Sequence, residues 1–316
     1  PGPALRALVL FLLCSTGNAG TEVRHDAGEL RFEEPPQRIV ALNWWLVEHL
    51  LALGITPVGV ADAEGYREWV AQPPLPDSVK SVGARQSPNL EAIRSLEPDL
   101  ILVTGHLMAA VPALETIAPT LVQTTYEAGS NPWKRARDHL ITLGKVLDRE
   151  AQADQVLAQA EQDLADTRRR LANAGLTNQE AFLVRFLDDR RLRIHGDNSM
   201  LHQALEQAGL SNAWQRATNL WGFTPGTLAD LGGHPDAWLI YIRPWPEADR
   251  ERLLASDLWP YLPMANSGRV TGVGPVWTFG GVLSVPMMAR MLADQLIEND
   301  RSEEHTSELQ SLISIS

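Results

Sequence analysis

Short apolar runs alternate with amphipathic stretches through the first third of the chain. Arg38–Leu42 suits a strand, and Trp45 to Leu53 carries apolar residues at helical spacing before Gly54 stops it. Pro57–Val60 reads as a second strand. Asn89 to Leu96 then predicts a helix, Asp99–Val103 a strand, Ala113–Ile117 a helix and Thr120–Val122 a strand. This alternation predicts parallel strands covered by helices.

The same grammar returns in the second half. Ala181–Leu187 and Ala237–Ile242 read as strands, with Ser199–Ala208 a helix between them. Gly268–Val273 precedes a last amphipathic helix that runs to about Glu298, with Pro286 in its first turn. NLEAIRSLEPDLILV and GTLADLGGHPDAWLI echo each other: a short helix, Pro-Asp, then an apolar strand. The pattern therefore predicts an α/β protein of two lobes, 20–131 and 173–300, each with a mostly parallel sheet flanked by helices. Between them, apolar residues keep three- and four-residue spacing over 132–172, with Pro132 at a first helical position and Asn131 as cap. One rigid helix of roughly 50 Å is expected there, joining the lobes.

Both ends are expected to stand outside this fold. Residues 1–19 carry one Arg, an apolar run from Ala7 to Leu13 and small residues up to Ala19, which reads as a secretory signal segment. The sole cysteine, Cys14, lies within it; Leu13 stands where a lipidation signal carries a small residue, so lipidation ranks second to simple cleavage. Residues 301–316 are rich in Ser and Glu and show no periodicity, so they read as foreign to the fold.

Composition narrows the function. The formal net charge of −12 over 316 residues, without a basic stripe, argues against nucleic acid as a partner. Ten tryptophans against four tyrosines and six phenylalanines point to surfaces that grip something large and amphipathic. Neither a phosphate-binding glycine loop, a G-x-S-x-G elbow nor an H-E-x-x-H pair occurs. The eight histidines are scattered, and no metal-ligating cluster is apparent. Binding without catalysis, and without a cofactor, is the more economical expectation. One cation stands out. In KSVGARQSPNLEAI, Arg85 leaves a strand just before a helix, where α/β sheets meet their ligands, and no acid follows it until Glu91.

These residues carry a resemblance. RIVALNWWLVEHLLALGITPVGVADAEGYREWVAQPPLPDSVKSVGARQSPNLEAI resembles the N-terminal lobe of the periplasmic ferric-hydroxamate-binding proteins, in the siderophore and cobalamin class of ABC-transporter solute-binding proteins. HGDNSMLHQALEQAGLSNAWQRATNLWG, DLWPYLP and GRVTGVGPVWTFGGVLS resemble the C-terminal lobe, so the likeness covers about residues 37 to 298. It implies a ligand cleft between the lobes, a periplasmic monomer, a ferric hydroxamate siderophore as cargo and an inner-membrane ABC permease as partner. Iron would be held through the siderophore alone. Arg85 matches the arginine that meets iron-bound hydroxamate oxygens, and Trp44, Trp69, Trp221 and Trp277 match aromatic cleft positions. His106 falls where a ligand-contacting tyrosine is expected, and Phe279 replaces an aromatic hydroxyl. Phe223 stands in place of a small hydroxyl residue. The cleft is thus expected to be less polar than is usual in the family, suiting a carbon-rich ligand. Glu91 matches a permease-docking acid on the first lobe, and Asp230 lies beside the corresponding position on the second. Cobalamin or haem as cargo, or a siderophore-processing hydrolase, are the rival readings.

Overall fold

The computed structural model describes residues 20–315 apart from 71 and 128, and side chains as far as Arg301; the expected signal segment and Cys14 lie outside the described residues. An antiparallel hairpin, β1 (Thr21–His25) and β2 (Gly28–Phe32), precedes the first lobe. That lobe is built on β3 (Ile39–Ala41), β4 (Gly59–Val60), β5 (Lys80–Ser81), β6 (Leu100–Val103) and β7 (Thr120–Val122). They pair in the order β5-β4-β3-β6-β7, every pair parallel. The residues of β3, β6 and β7 are all buried, which is why they read as unbroken apolar runs. The chain lays β4 and β5 to one side of β3 and β6 and β7 to the other. Connections leaving β3 and β6 therefore diverge, and their carboxyl ends open a crevice.

The second lobe holds β8 (Glu180–Phe186), β9 (Leu192–His195), β10 (Ser211–Asn212), β11 (Phe223–Gly226), β12 (Trp238–Ile242) and β13 (Val270–Val273). Their order is β11-β9-β8-β12-β13, with β10 also against β8. β10, β8, β12 and β13 pair in parallel, whereas β9 and β11 run antiparallel to their neighbours. Arg193, His195 and Pro225 interrupt the apolar character of those two strands, and the sequence pattern passes over them.

Two expectations change. The connection over 132–172 is not one helix but two, Pro132–Val146 and Glu150–Asn173. Asp148 lies in the left-handed region at φ 53°, which turns the chain while the apolar spacing continues across the break. The last helix spans Ser284–Ile315, through the tail read as aperiodic; after Pro286 it meets neither Gly nor Pro to stop it.

One apolar cluster runs through both lobes. It extends from Ile39 and Leu102 through Trp133, Leu140 and Leu164 of the connecting helices to Leu183, Met200 and Leu292. A polar tie reinforces it. Glu48, buried on the helix Trp44–Ala52, accepts hydrogen bonds from Gly281 N–H at 3.0 Å, Leu283 N–H at 2.8 Å and Ser284 Oγ at 2.8 Å. His49 Nε2 accepts from Val282 N–H at 3.1 Å. First-lobe side chains thus satisfy the backbone donors of the turn that leads into the second lobe's last helix. Among the described residues no helix is long and apolar enough to cross a membrane.

Candidate functional site

Arg85 reaches the crevice from the loop between β5 and the helix Leu90–Ser95, and that loop is pinned at both ends. Asp62 N–H donates to Gly83 C=O at 2.7 Å, and Asn89 N–H to Val82 C=O at 2.8 Å. Gly83 sits at φ +92°, and a Cβ there would stand 3.0 Å from Asn89 N, so only glycine suits the turn. Asn89 then caps the helix, its Oδ1 accepting from Glu91 N–H at 3.0 Å and Ala92 N–H at 3.1 Å.

The guanidinium packs against a pair of indoles, 3.7 Å from the ring centre of Trp44 and 4.7 Å from that of Trp277, whose rings meet edge to face with centres 4.6 Å apart. Its Nε stands 3.5 Å from Asp62 Oδ2, so the acid missing from the local sequence arrives from the loop after β4. Asp62 also fixes the platform: its carbonyl accepts Trp44 Nε1–H at 2.9 Å, and its Oδ1 accepts Gly65 N–H at 3.2 Å. Burial lowers the Arg85 pKa, with Asp62 opposing, but a guanidinium keeps its charge at neutral pH. Among the described residues no hydrogen bond reaches its terminal nitrogens.

Above this cation is a cleft of about 670 Å³, lined by both lobes. The first lobe contributes Asn43, Trp45, Arg85, Thr104, His106 and Tyr126, and the second Leu220, Trp221, Phe223, Trp277 and Phe279. Phe279 gathers the aromatics, 5.6 Å from Tyr126, 5.9 Å from Trp221 and 5.3 Å from Trp277 between ring centres. Trp221, exposed at 40%, rides a loop held by Asn219 Oδ1, which accepts Trp221 N–H at 2.9 Å. Gly222 closes that loop at φ +77°, where a Cβ would lie 2.7 Å from Asn198 C=O.

His106 stands at the rim, its Nδ1 2.6 Å from Thr104 Oγ1. Desolvation lowers its pKa, a backbone hydrogen bond to Arg85 opposes this and the Arg85 charge adds to it, leaving a neutral ring. Among the described residues no group of three or more His, Cys, Asp or Glu side chains is placed to hold a metal ion.

Several expected positions differ from their placement. Trp44 is 2% exposed and lies under Arg85, while the neighbouring Trp45 lines the cleft. Trp69 is not in the cleft wall; its ring faces Arg185 of the second lobe at 5.4 Å. A buried phenol that the sequence reading did not place, Tyr126 beyond β7, also lines the cleft, and its hydroxyl donates to Thr278 C=O at 3.5 Å. Glu91 is exposed and makes no ion pair among the described residues. Asp230 is engaged: it accepts Thr227 N–H at 2.9 Å and pairs with Arg216 at 3.2 Å, and these contacts, the backbone bond first, lower its pKa. Asp62 and Tyr126 escaped the sequence reading. For Asp62 the available signal was the Asp-x-x-Gly turn pattern just beyond β4; for Tyr126 there was none.

The model of the periplasmic binding protein family matches residues 39–276. The chain belongs to that family. Among relatives of this periplasmic binding protein is the iron(3+)-hydroxamate-binding protein FhuD of Escherichia coli, 35% identical over 257 residues, covering 81% of this chain and 86% of the relative. The crystal structure of FhuD from Vibrio cholerae with bound Fe³⁺-Desferal is 33% identical with a TM-score of 0.78, covering 83% of this chain and 98% of that one. The Vibrio cholerae catecholate-siderophore-binding protein VctP, 21% identical with a TM-score of 0.67 over 87% of this chain and 99% of that one, shares the fold.

Proposed function

We propose that this binding protein captures a ferric hydroxamate siderophore in the periplasm and delivers it to an inner-membrane ABC permease, as a monomer and without chemical turnover. The observation that carries the reading is Arg85, a cation packed against the indole pair of Trp44 and Trp277 with its terminal nitrogens unspent at the floor of an aromatic cleft. Hydroxamates satisfy Fe³⁺ with hard oxygens, so the protein need not touch the metal. Those oxygens keep lone pairs and partial charge, and one guanidinium can donate to two of them. His106, neutral, offers a single further donor. Trp221, Trp277, Phe279 and Tyr126 supply the surface that a siderophore's carbon chains would bury, at little conformational cost. Likeness to the two FhuD proteins supports the same cargo.

Delivery would use the exposed carboxylate of Glu91 on the first lobe. Asp230 could serve on the second only by giving up Arg216, so the docking surface there is weaker. The leader would direct export and then be cleaved near Ala19, removing Cys14 unmodified.

The test is quenching of tryptophan fluorescence by ferric ferrichrome and ferric ferrioxamine, against cobalamin and haem. Saturable binding of at least one ferric hydroxamate, tighter than the iron-free ligand, is expected. Equal binding of the iron-free form, or binding of cobalamin or haem alone, overturns the proposal.

A further inference from the structure

Beside the cleft, on the second lobe, stand two arginines that pair with no acid among the described residues. Arg185 on β8 and Arg193 on β9 are directly opposite in antiparallel register. Their strand neighbours Val184, Phe186, Leu192 and Ile194 point to the other face, into the second lobe's own core. Arg185 and Arg193 therefore leave the sheet on the face turned toward the first lobe. Arg185 lies 5.4 Å from the ring of Trp69, and Arg193 lies 4.6 Å from the ring of Phe223, which itself lines the cleft. Both are half-buried, and among the described residues neither side chain makes an ion pair or a hydrogen bond.

Like charges directly opposite on a sheet repel, and among the described residues no acid offsets this, the rings of Trp69 and Phe223 giving only partial relief. This placement is unexpected in a chain with 39 acidic residues against 27 basic ones. Burial lowers the pKa of Arg185, and the neighbouring Arg193 adds to that shift. His195, two residues beyond Arg193 on the same face, is 2% exposed, with neither ring nitrogen hydrogen-bonded. Three nitrogen-bearing side chains thus share one partly desolvated face with no counter-charge among the described residues. A carboxylate would meet two planar forks there, walled by aromatic faces from both lobes.

We propose that Arg185 and Arg193 form a carboxylate-reading subsite at the second-lobe side of the cleft, so that the preferred cargo is a ferric hydroxamate bearing a free carboxylate arm. This rests on the reading of the cleft as a ferric-hydroxamate site. A trihydroxamate complex of Fe³⁺ is itself neutral, so the arm would give the cargo the only net charge for the pair to distinguish.

The test uses two ligands that differ in the arm alone: the ferric complexes of N-acetyl- and N-succinyl-desferrioxamine, neutral and anionic at pH 7.5. Fluorescence titration of the wild-type protein should show the succinyl complex bound about tenfold or more tightly, consistent with one charge-assisted pair. The ratio should shrink in high salt and fall to about one in the Arg185→Gln, Arg193→Gln double variant. Equal affinities in the wild-type protein overturn the subsite while leaving the cleft reading intact. A preference that persists in the double variant also overturns it. Should neither complex bind the wild-type protein, the cleft reading falls and the subsite with it. The wild-type comparison needs no variant to fold.

Discussion

A guanidinium at the base of a cleft must stay charged, hold still and keep donors free. Trp44 and Trp277, packed edge to face, support Arg85 together, and no hydrogen bond among the described residues reaches its terminal nitrogens. Asp62 offsets the desolvation from the side, through Nε. Arg85→Gln should weaken ferric-hydroxamate binding about 10- to 100-fold, the size of a lost charge-assisted hydrogen-bond pair. Arg85→Lys should fall between, because an ammonium keeps the charge but loses the planar fork. Titration by fluorescence quenching checks both. Two other side chains make stability depend on pH. Burial pushes the pKa values of His49 and His195 down to about 3, with nearby His139 acting on the first and Arg193 and Arg185 on the second. Below their unfolded value near 6.5 the unfolded chain takes up protons that the folded chain refuses, so stability is full above about pH 6.5 and drains away toward pH 3. Each histidine removes about 1.4 kcal/mol per pH unit in that window. Urea unfolding at pH 7.5 and 5.0 should therefore differ by about 2 kcal/mol less in His195→Asn than in the wild-type protein.

At the scale of elements, the helix Trp44–Ala52 links the two halves. It presents Trp44 to Arg85 and Trp45 to the cleft, and Glu48 and His49 to the opening turn of the last helix. Glu48→Ala would leave two backbone N–H groups and Ser284 Oγ without their acceptor in a buried place. It should cost about 3 kcal/mol, and thermal unfolding should fall by roughly 6–12 °C. Melting followed by circular dichroism checks this. The same helix shows where sequence reading reaches and where it stops. Its apolar spacing made it visible, as did the buried runs of β3, β6, β8 and β12. Its partners were not visible, because Glu48 meets Gly281 and Ser284 across more than two hundred positions. Asp62 and Arg85 meet only because β4 and β5 are neighbours in the sheet. The break at Asp148 was hidden for a different reason, since a single left-handed residue leaves the apolar period on either side intact. Arg85 itself was legible as an odd cation at a strand exit, but the indole pair it packs against needs residues from both lobes.

For the whole molecule, the continuous core and the Glu48 tie have one mechanical consequence. The apolar cluster passes through both lobes and both connecting helices without a solvent gap, so a hinge opening would expose packed surface along its length. The break between Val146 and Glu150 does not supply a hinge, because the two helices pack against each other and Arg149 N–H donates back to Gly144 C=O at 2.7 Å. Ligand capture should therefore proceed with loop and side-chain adjustments around Trp221 and His106 rather than with lobe closure. A folded body of this size has a radius of gyration of about 19 Å. Small-angle scattering should show that value changing by no more than a few tenths of an ångström when a ferric hydroxamate saturates the cleft, in contrast to hinge-type closure. The same continuity requires the lobes to unfold together. Circular dichroism and tryptophan fluorescence should trace coincident urea transitions, and two resolved transitions would mean that the lobes are energetically separate. A permease of the kind proposed could then distinguish loaded from empty protein only through what changes at the cleft rim and the ligand it exposes, because the proposed handhold at Glu91 would be the same in both states.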